Sequence, residues 1–485
     1  MSTEAKLKFI PRFQALWANI ELSDDGEITS SYFLGSGMTG YFPEFPVLIK
    51  GNGEPWTAGN LYLLRRLAFK PEKYEEDTFA SIAKALLKYL RFLENNQLDP
   101  LNFHPRLPFK RPTYLFRQHL IGQVEEGNLA PSTASGTINA VINFYKGLVT
   151  YQVLEADILN LVHKSKELLL PIISNDGFSK LLSISSSDLA IKKPSASKDP
   201  DAITDGGTLF PLTKNQQDCV FRALQDADRG IFLLFLFALM TGARIQTAGT
   251  IRVRTLKNAR RNADGDYMID CGFGKEVDAK KGNGYTLVVP ALLHRSLLMY
   301  VESRSARRRR EISYYGDTDK NYVFIANTGN PYYTSKREKN ERRDQELHRK
   351  VGANSASKHF KPAKGDSVRK YISEVLLPHI RRENPAFPDF GFHDLRATFG
   401  MNLLETLLGY IDEKNEKERS KGGKEFIGSM WALEQVQERM GHADMKTTMQ
   451  YLNYRRNKQW RAKIINEYEG LLLKHAHAPD NALQV

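Results

Sequence analysis

The residues of this sequence best suited to chemistry on a phosphate lie in three short motifs. T-G-A-R (241–244) ends at Arg244, and H-D-L-R (393–396) pairs His393 with Arg396. The run G-H-A-D-M-K-T-T-M-Q-Y (441–451) sets Tyr451 nine residues after His442. Attack on a phosphodiester needs fixed cations for the charge growing on the non-bridging oxygens, a nucleophile in line, and a proton for the leaving oxygen. Guanidinium suits the first task, because its planar fork grips two oxygens and keeps its charge. His393 and Arg396 stand three residues apart, which on a helix turns both to one face. The glycine of T-G-A-R lets the backbone turn sharply before Arg244. A phenol has an ordinary pKa of about 10 and needs help to lose its proton. In return, a phosphotyrosine bond stores the energy of the bond it replaces, so a strand can be rejoined without ATP or metal. No cofactor is therefore expected. The chain has 21 tyrosines, and only the position after Gly441-His442 singles out Tyr451. Tyr454, one turn on, is its competitor.

The elements that must hold these residues follow from composition and periodicity. At 485 residues the chain exceeds one core and predicts two or three domains. Hydrophobic residues make up 41% and charged residues 26%, as in globular proteins. Lys and Arg number 69 against 56 acidic residues, a net +13 that favours a polyanionic partner. The two cysteines, Cys219 and Cys271, exclude a disulfide framework and a cysteine-based zinc site. His393 and His442 lack the tight His/Asp spacing of a metal site, so no metal is expected there. The first residues lack the apolar run of a signal peptide, and the longest apolar stretch, 231–240, is about half a membrane span. A cytoplasmic chain with no membrane contact is expected.

Residues 1–70, with their Gly, Pro and aromatics, predict a mixed extension of short strands and turns. A helical period begins at Thr78, with Phe79, Ile82, Ala83, Leu86, Leu90 and Leu93 on one face. A second helix starts near Ser132, and apolar stretches at 158–162 and 168–173 complete a small helical domain over 71–180. Residues 181–208, including Ser185 to Ser187 and the Ser/Pro/Lys-rich 191–201, predict an exposed linker. A larger domain spans 209–475, with a tail over 476–485. Thr213 and Gln216 have capping-box spacing, and the helix over 230–241 is apolar all round, so it should be buried. Residues 253–290 and 322–331 read as strands and turns, and 367–377 as an amphipathic helix. The dense charge of 335–350 predicts a mobile or polyanion-facing segment. The Lys/Glu-rich stretch 410–428 reads first as a disordered insertion, with a helix extension or partner contact as alternatives. The fold class is thus mainly α with a small β-sheet or hairpin: a helical domain followed by a larger α+β domain.

The motifs T-G-A-R, H-D-L-R, G-H and Tyr451 resemble, in order and spacing, those of the tyrosine recombinases, the phage integrase family. The resemblance covers roughly 210–475, and 75–175 is similar to that family's SAM-like core-binding domain by position and pattern. It implies two domains closing as a clamp on double-stranded DNA at specific recombination sites. Arg244 and Arg396 would hold the scissile phosphate. His393 would serve as proton acceptor or acid, and His442 would bond a non-bridging oxygen. Tyr451 would form a 3′-phosphotyrosyl intermediate. A hairpin lysine would protonate the leaving 5′-oxygen; Lys275 at the strand end is favoured, with Lys280 and Lys281 in the turn as alternatives. The family's acidic residue three positions after the first arginine is Thr247 here. The resemblance further implies a homotetramer on paired sites, accessory DNA-bending proteins, a mobile element for integration or excision, and a prokaryotic, nucleoid-associated setting. The C-terminal helix with Trp460, Ile464, Ile465 and Tyr468 would pack within the chain or, as the resemblance implies, dock on a neighbouring protomer. Two rivals share parts of the pattern: a type IB topoisomerase-like relaxing enzyme, and a DNA-binding regulator with an inactive pocket.

Overall fold

The computed structural model describes residues 4–22, 28–34, 41–71, 74–173, 179–191, 202–280, 284–350 and 360–476. Lys281, most of the Ser/Pro/Lys-rich stretch 191–201, and residues 477–485 of the expected tail lie outside them. The chain forms two compact units, Met1–Ala196 and Ser197–Val485. It is mainly helical with small antiparallel sheets, as the periodicity predicts.

In the first unit, β1 (Lys6–Phe13) pairs antiparallel with β4 (Phe42–Ile49), and β2 (Leu16–Leu22) pairs with β3 (Ile28–Leu34). Four helices follow: α1 (Thr57–Phe69), α2 (Glu76–Asn95), α3 (Pro112–Glu125) and α4 (Pro131–Thr150). The short α5 (Ile158–Val162) leads into a hairpin of β5 (Ser165–Ile173) and β6 (Ser179–Ser187). The helices α2 and α4 stand where the apolar period puts them. Their buried Tyr89 and Tyr145 hydroxyls meet at 2.8 Å; because Tyr145 gives its proton to the Pro100 carbonyl, Tyr89 is the donor between the two.

Three expectations change here. Residues 57–69 are helix rather than turns, and Phe45, Leu48, Tyr62 and Leu63 share one core with α2 and α4, so 1–70 is not a separate extension. Residues 168–173 are a strand rather than helix, since periodicity cannot separate a short apolar run in a strand from one in a helix. Its partner strand includes Ser185 to Ser187, which are therefore not linker.

The second unit opens with the small hairpin β7 (Ile203–Thr204) and β8 (Thr208–Leu209), then α6 (Lys214–Gln225) and α7 (Arg229–Thr241). Both halves of the capping box at Thr213 and Gln216 form. The helix α7 is the hub of the main core, as its all-round apolarity requires: Ile231, Leu233, Leu234, Phe235, Phe237 and Ala238 are buried. Its start is fixed by Asp228, whose Oδ1 accepts from Gly230 and Ile231 amides while Arg309 bonds both carboxylate oxygens. Around it lie α8 (Ile245–Thr250), α9 (Val253–Lys257) and the sheet β9 (Arg260–Arg261), β10 (Tyr267–Cys271) and β11 (Tyr285–Val289). Next come α10 (Ala291–Glu302), α11 (Arg304–Glu311) and α12 (Lys336–Lys350). The helix α13 (Asp366–Tyr371) continues through a π turn (Ile372–Leu376) into α14 (Leu377–Glu383). The long α15 (Asp394–Ser420), α16 (Ser429–Met440) and α17 (Met445–Ala476) build a second cluster with Ile203 and Leu209 of the hairpin.

Residues 253–257 are helix, and 322–331 make only isolated bridges, Arg252 to Tyr322 and Ile325 to Pro331, rather than a strand. The segment expected to be mobile or polyanion-facing is α12, and its anchored start removes the mobile alternative there. Fully buried Glu338 accepts from the Tyr322 hydroxyl and from Arg342 Nε, each at 2.6 Å. Residues 410–420 continue α15, so the helix-extension alternative replaces the disordered insertion there.

Candidate active site

Arg244 is delivered by the end of α7. Gly242 closes that helix in the left-handed region, φ 67°, where a side chain would be strained. A Cβ there would also stand 2.5 Å from the Phe399 ring, so both backbone and packing require glycine. The chain then turns into α8 with Arg244 at its N-cap.

His393 and Arg396 come from the start of α15. The Asp394 carboxylate accepts from the amides of Gly391 and Phe210, each at 2.7 Å, and the Thr398 hydroxyl accepts from the Leu212 amide at 2.9 Å. These bonds clamp residues 210–212 on α15 and thereby hold the β7–β8 hairpin against the same helix. Arg396 is almost fully buried. Its Nη1 donates to the Gly242 carbonyl and its Nη2 to the Met440 carbonyl, each at 2.8 Å. One guanidinium thus joins the C-terminal ends of α7 and α16, where carbonyls lack helical partners and the dipole favours a cation.

His442 follows Gly441, which ends α16 at φ 62°. The His442 amide donates to the Gln437 carbonyl at 3.0 Å, and Gln437 Nε2 donates back to the His442 carbonyl at 3.2 Å. Its Nδ1 lies 2.9 Å from the buried Thr448 hydroxyl. Tyr451, fully buried, projects from α17 against Gly400 of α15. A Cβ on Gly400 would stand 2.5 Å from Tyr451 Cε1 and 2.7 Å from Met440 Sδ, so the absence of a side chain there makes room for the phenol.

All of these groups converge on one residue that the sequence reading placed in the linker: Asp205, in the β7–β8 turn. Its Oδ2 accepts from Arg396 Nε at 2.7 Å, from His442 Nε2 at 3.0 Å and from the Tyr451 hydroxyl at 3.3 Å. Its Oδ1 accepts from Arg244 Nη2 at 3.1 Å, and its backbone carbonyl from His393 Nε2 at 3.0 Å. Burial alone would raise the Asp205 carboxyl. The His442 hydrogen bond and the charges of Arg396 and Arg244 outweigh it and hold the group far below the usual carboxylate range. Burial, then the Asp205 charge, push the Tyr451 phenol well above its ordinary value. Burial lowers His393, leaving it neutral near pH 7. Burial and the neighbouring Arg396 charge lower Arg244.

The structure therefore brings Arg244, His393, Arg396, His442 and Tyr451 together. It does not bring Lys275 with them. Lys275 lies in the turn after β10, its side chain about half exposed and 3.7 Å from Asp270. Lys275 does not stand at the strand end, because β10 ends at Cys271 and the chain turns away at Gly272. Among the described residues Lys280 reaches the site: a Cβ built on Gly206 would lie 2.9 Å from Lys280 Nζ and 3.9 Å from His393 Nε2. Tyr454 is also buried but lines a separate cleft of about 360 Å³ with Leu212, Gln217, Asn402 and Lys458. At the position three after Arg244, buried Thr247 accepts from the Tyr285 hydroxyl at 3.4 Å, and the acidic partner of Arg244 is Asp205 instead. The signal for Asp205 was faint: an acid in a D-G-G turn, read against the missing acid at 247. Among the described residues no cluster of His, Cys, Asp and Glu could hold a metal, and no helix is long and apolar enough to cross a membrane.

No protein-family model matches the chain, and no curated protein matches it. Among solved structures it is similar to the Tn1549 transposon integrase in complex with transposon right-end DNA, at 12% identity and TM-score 0.42, covering 83% of this chain and 98% of that one. It is similar to a λ integrase fragment dimer bound to a core site, at 12% identity and TM-score 0.40, covering 81% and 94%. The XerH recombinase bound to its difH substrate matches at 12% identity and TM-score 0.39, covering 81% and 80%.

Proposed function

We propose that this chain is a tyrosine recombinase that cuts and rejoins DNA strands at specific sites through a 3′-phosphotyrosyl intermediate. One observation carries the reading: two guanidinium groups, an imidazole and a phenol all reach a single buried carboxylate, each within 3.3 Å. A group of four donors around one anion is what a phosphodiester needs, and the donor that is also a nucleophile is Tyr451. In the reaction, the Tyr451 oxygen attacks phosphorus and the bond to the 5′-oxygen breaks. Neutral His393 takes the phenol proton, and Lys280 gives one to the leaving oxygen. Arg244, Arg396 and His442 hold the non-bridging oxygens. Religation reverses the proton movements, so no ATP is consumed. The net charge of +13 suits a duplex partner.

The bound DNAs of the similar structures are core sites, a difH site and a transposon end. The same class of substrate, the paired ends of a mobile element brought together by four protomers, is the one proposed here. The test is incubation with nicked suicide duplexes tiling the DNA on either side of the coding gene. A covalent protein–DNA band is expected that Tyr451→Phe eliminates and Tyr454→Phe retains. Loss with Tyr454→Phe and survival of Tyr451→Phe would overturn the assignment of the nucleophile, and no band on any duplex would overturn the activity.

A further inference from the structure

The group at the centre of the site is negatively charged and belongs to the chain itself. We propose that the Asp205 carboxylate occupies the seat of the scissile phosphate, so that the β7–β8 hairpin holds the site closed until a phosphate displaces it. This rests on the strand-transfer reading for the identity of the phosphate, and on geometry for the seat.

Three observations carry it. First, the donors bonded to Asp205 are the same groups assigned to the phosphate, and both anions cannot have them at once. Second, the carboxylate is an incomplete occupant. Arg244 gives it one bond, and the buried Arg244 Nε has no hydrogen-bond partner. A phosphodiester presents two non-bridging oxygens and two bridging ones, which leaves an acceptor for that unused donor. Third, the hairpin is held by contacts separable from the donors. Its Ile203 and Leu209 pack in the α15–α17 cluster, and the Thr204 amide donates to Gln450 Oε1 at 3.1 Å, one residue before Tyr451. The hairpin turns at Gly206-Gly207, with Gly206 at φ 72°, and carries no large side chain at its tip. Lys280 and His393 flank that glycine, so the turn also covers the groups proposed to move protons.

A closed state lowers the apparent affinity for any phosphate by the fraction of molecules that are open. The experiment uses the full chain and inorganic phosphate, followed by calorimetry. Asp205→Asn keeps the shape and removes the charge, and it is expected to bind phosphate about tenfold or more tightly than the wild type. Arg396→Ala in that background should abolish the gain. Equal or weaker binding by Asp205→Asn overturns the proposal. Should that variant fail to fold, amide exchange on the wild type decides. Saturating phosphate should speed exchange at residues 203–210, and unchanged or slower exchange there overturns the proposal. The two readings fail separately. A Tyr451-dependent band with no gain in phosphate affinity removes only the closed state. A gain in affinity with no band removes only strand transfer.

Discussion

Gly400→Ala tests whether the placement of Tyr451 is set by packing between α15 and α17. The new methyl would lie 2.5 Å from Tyr451 Cε1 and 2.7 Å from Met440 Sδ. Ordinary carbon contacts lie near 3.5–4.0 Å, so the ring must retreat by about 1 Å. Met440 is flexible and can yield, but the Tyr451 ring is fully buried and carries with it the oxygen proposed to attack phosphorus. Overpacking costs about 1–3 kcal/mol, and alanine in a helix interior returns about 1 kcal/mol relative to glycine. Stability should therefore fall by no more than about 2 kcal/mol. A nucleophile misplaced by about 1 Å loses on the order of 100-fold in rate. The control lies in the same helix: Gly409→Ala adds a Cβ with nothing within 4 Å and should leave the rate unchanged. The assay is the single-turnover rate of covalent band formation on a nicked duplex, with thermal melting alongside. If Gly400→Ala cleaves as fast as Gly409→Ala, packing at Gly400 does not set the nucleophile.

Two further outcomes are expected. Lys280→Ala should slow cleavage by about 10²–10⁴-fold, as for loss of a general acid, while Lys275→Ala stays near the wild-type rate; a sulfur in place of the bridging 5′-oxygen should restore Lys280→Ala, because a thiolate leaves without a proton. Removing one partner of a buried ion pair costs about 3–5 kcal/mol, so Asp205→Asn should be less stable than the wild type at pH 7. The folded carboxyl is depressed below its unfolded value, so its contribution is complete above about pH 4 and is lost as pH falls toward the folded value. Urea unfolding should show the gap between the two chains narrowing below about pH 4; a gap that is constant down to pH 3 contradicts the ion-pair account.

Much of the site was legible because its members are punctuated locally. Arg244 follows a glycine that ends a wholly apolar helix, His393 and Arg396 are one turn apart, and His442 follows a helix-ending glycine. Helices with strong period or caps were equally plain, as at Thr213 and at Phe79 to Leu93. Asp205 was not legible, because what gives it meaning is contact with residues up to 246 positions away. Its own neighbours, D-G-G in a polar stretch, read as linker. Lys275 was preferred on the premise that the strand would reach it, and the turn beginning at Gly272 removed that premise. The apolar run 168–173 and the mobile alternative for the charged run 335–350 went astray for a shared reason. A partner settles each: the paired strand β6 for one, and the buried Glu338–Tyr322 contact for the other.

The full burial of Tyr451 bears on fidelity. In the proposed reaction half of a severed backbone rests on Tyr451, and bulk solvent must be kept from it, since hydrolysis would leave a permanent break. The walls of α15 and α16 remain when the hairpin lifts, and they narrow the approach to Tyr451 in favour of an incoming 5′-hydroxyl. The same enclosure should shield the free protein's Tyr451 from small electrophiles that modify exposed phenols.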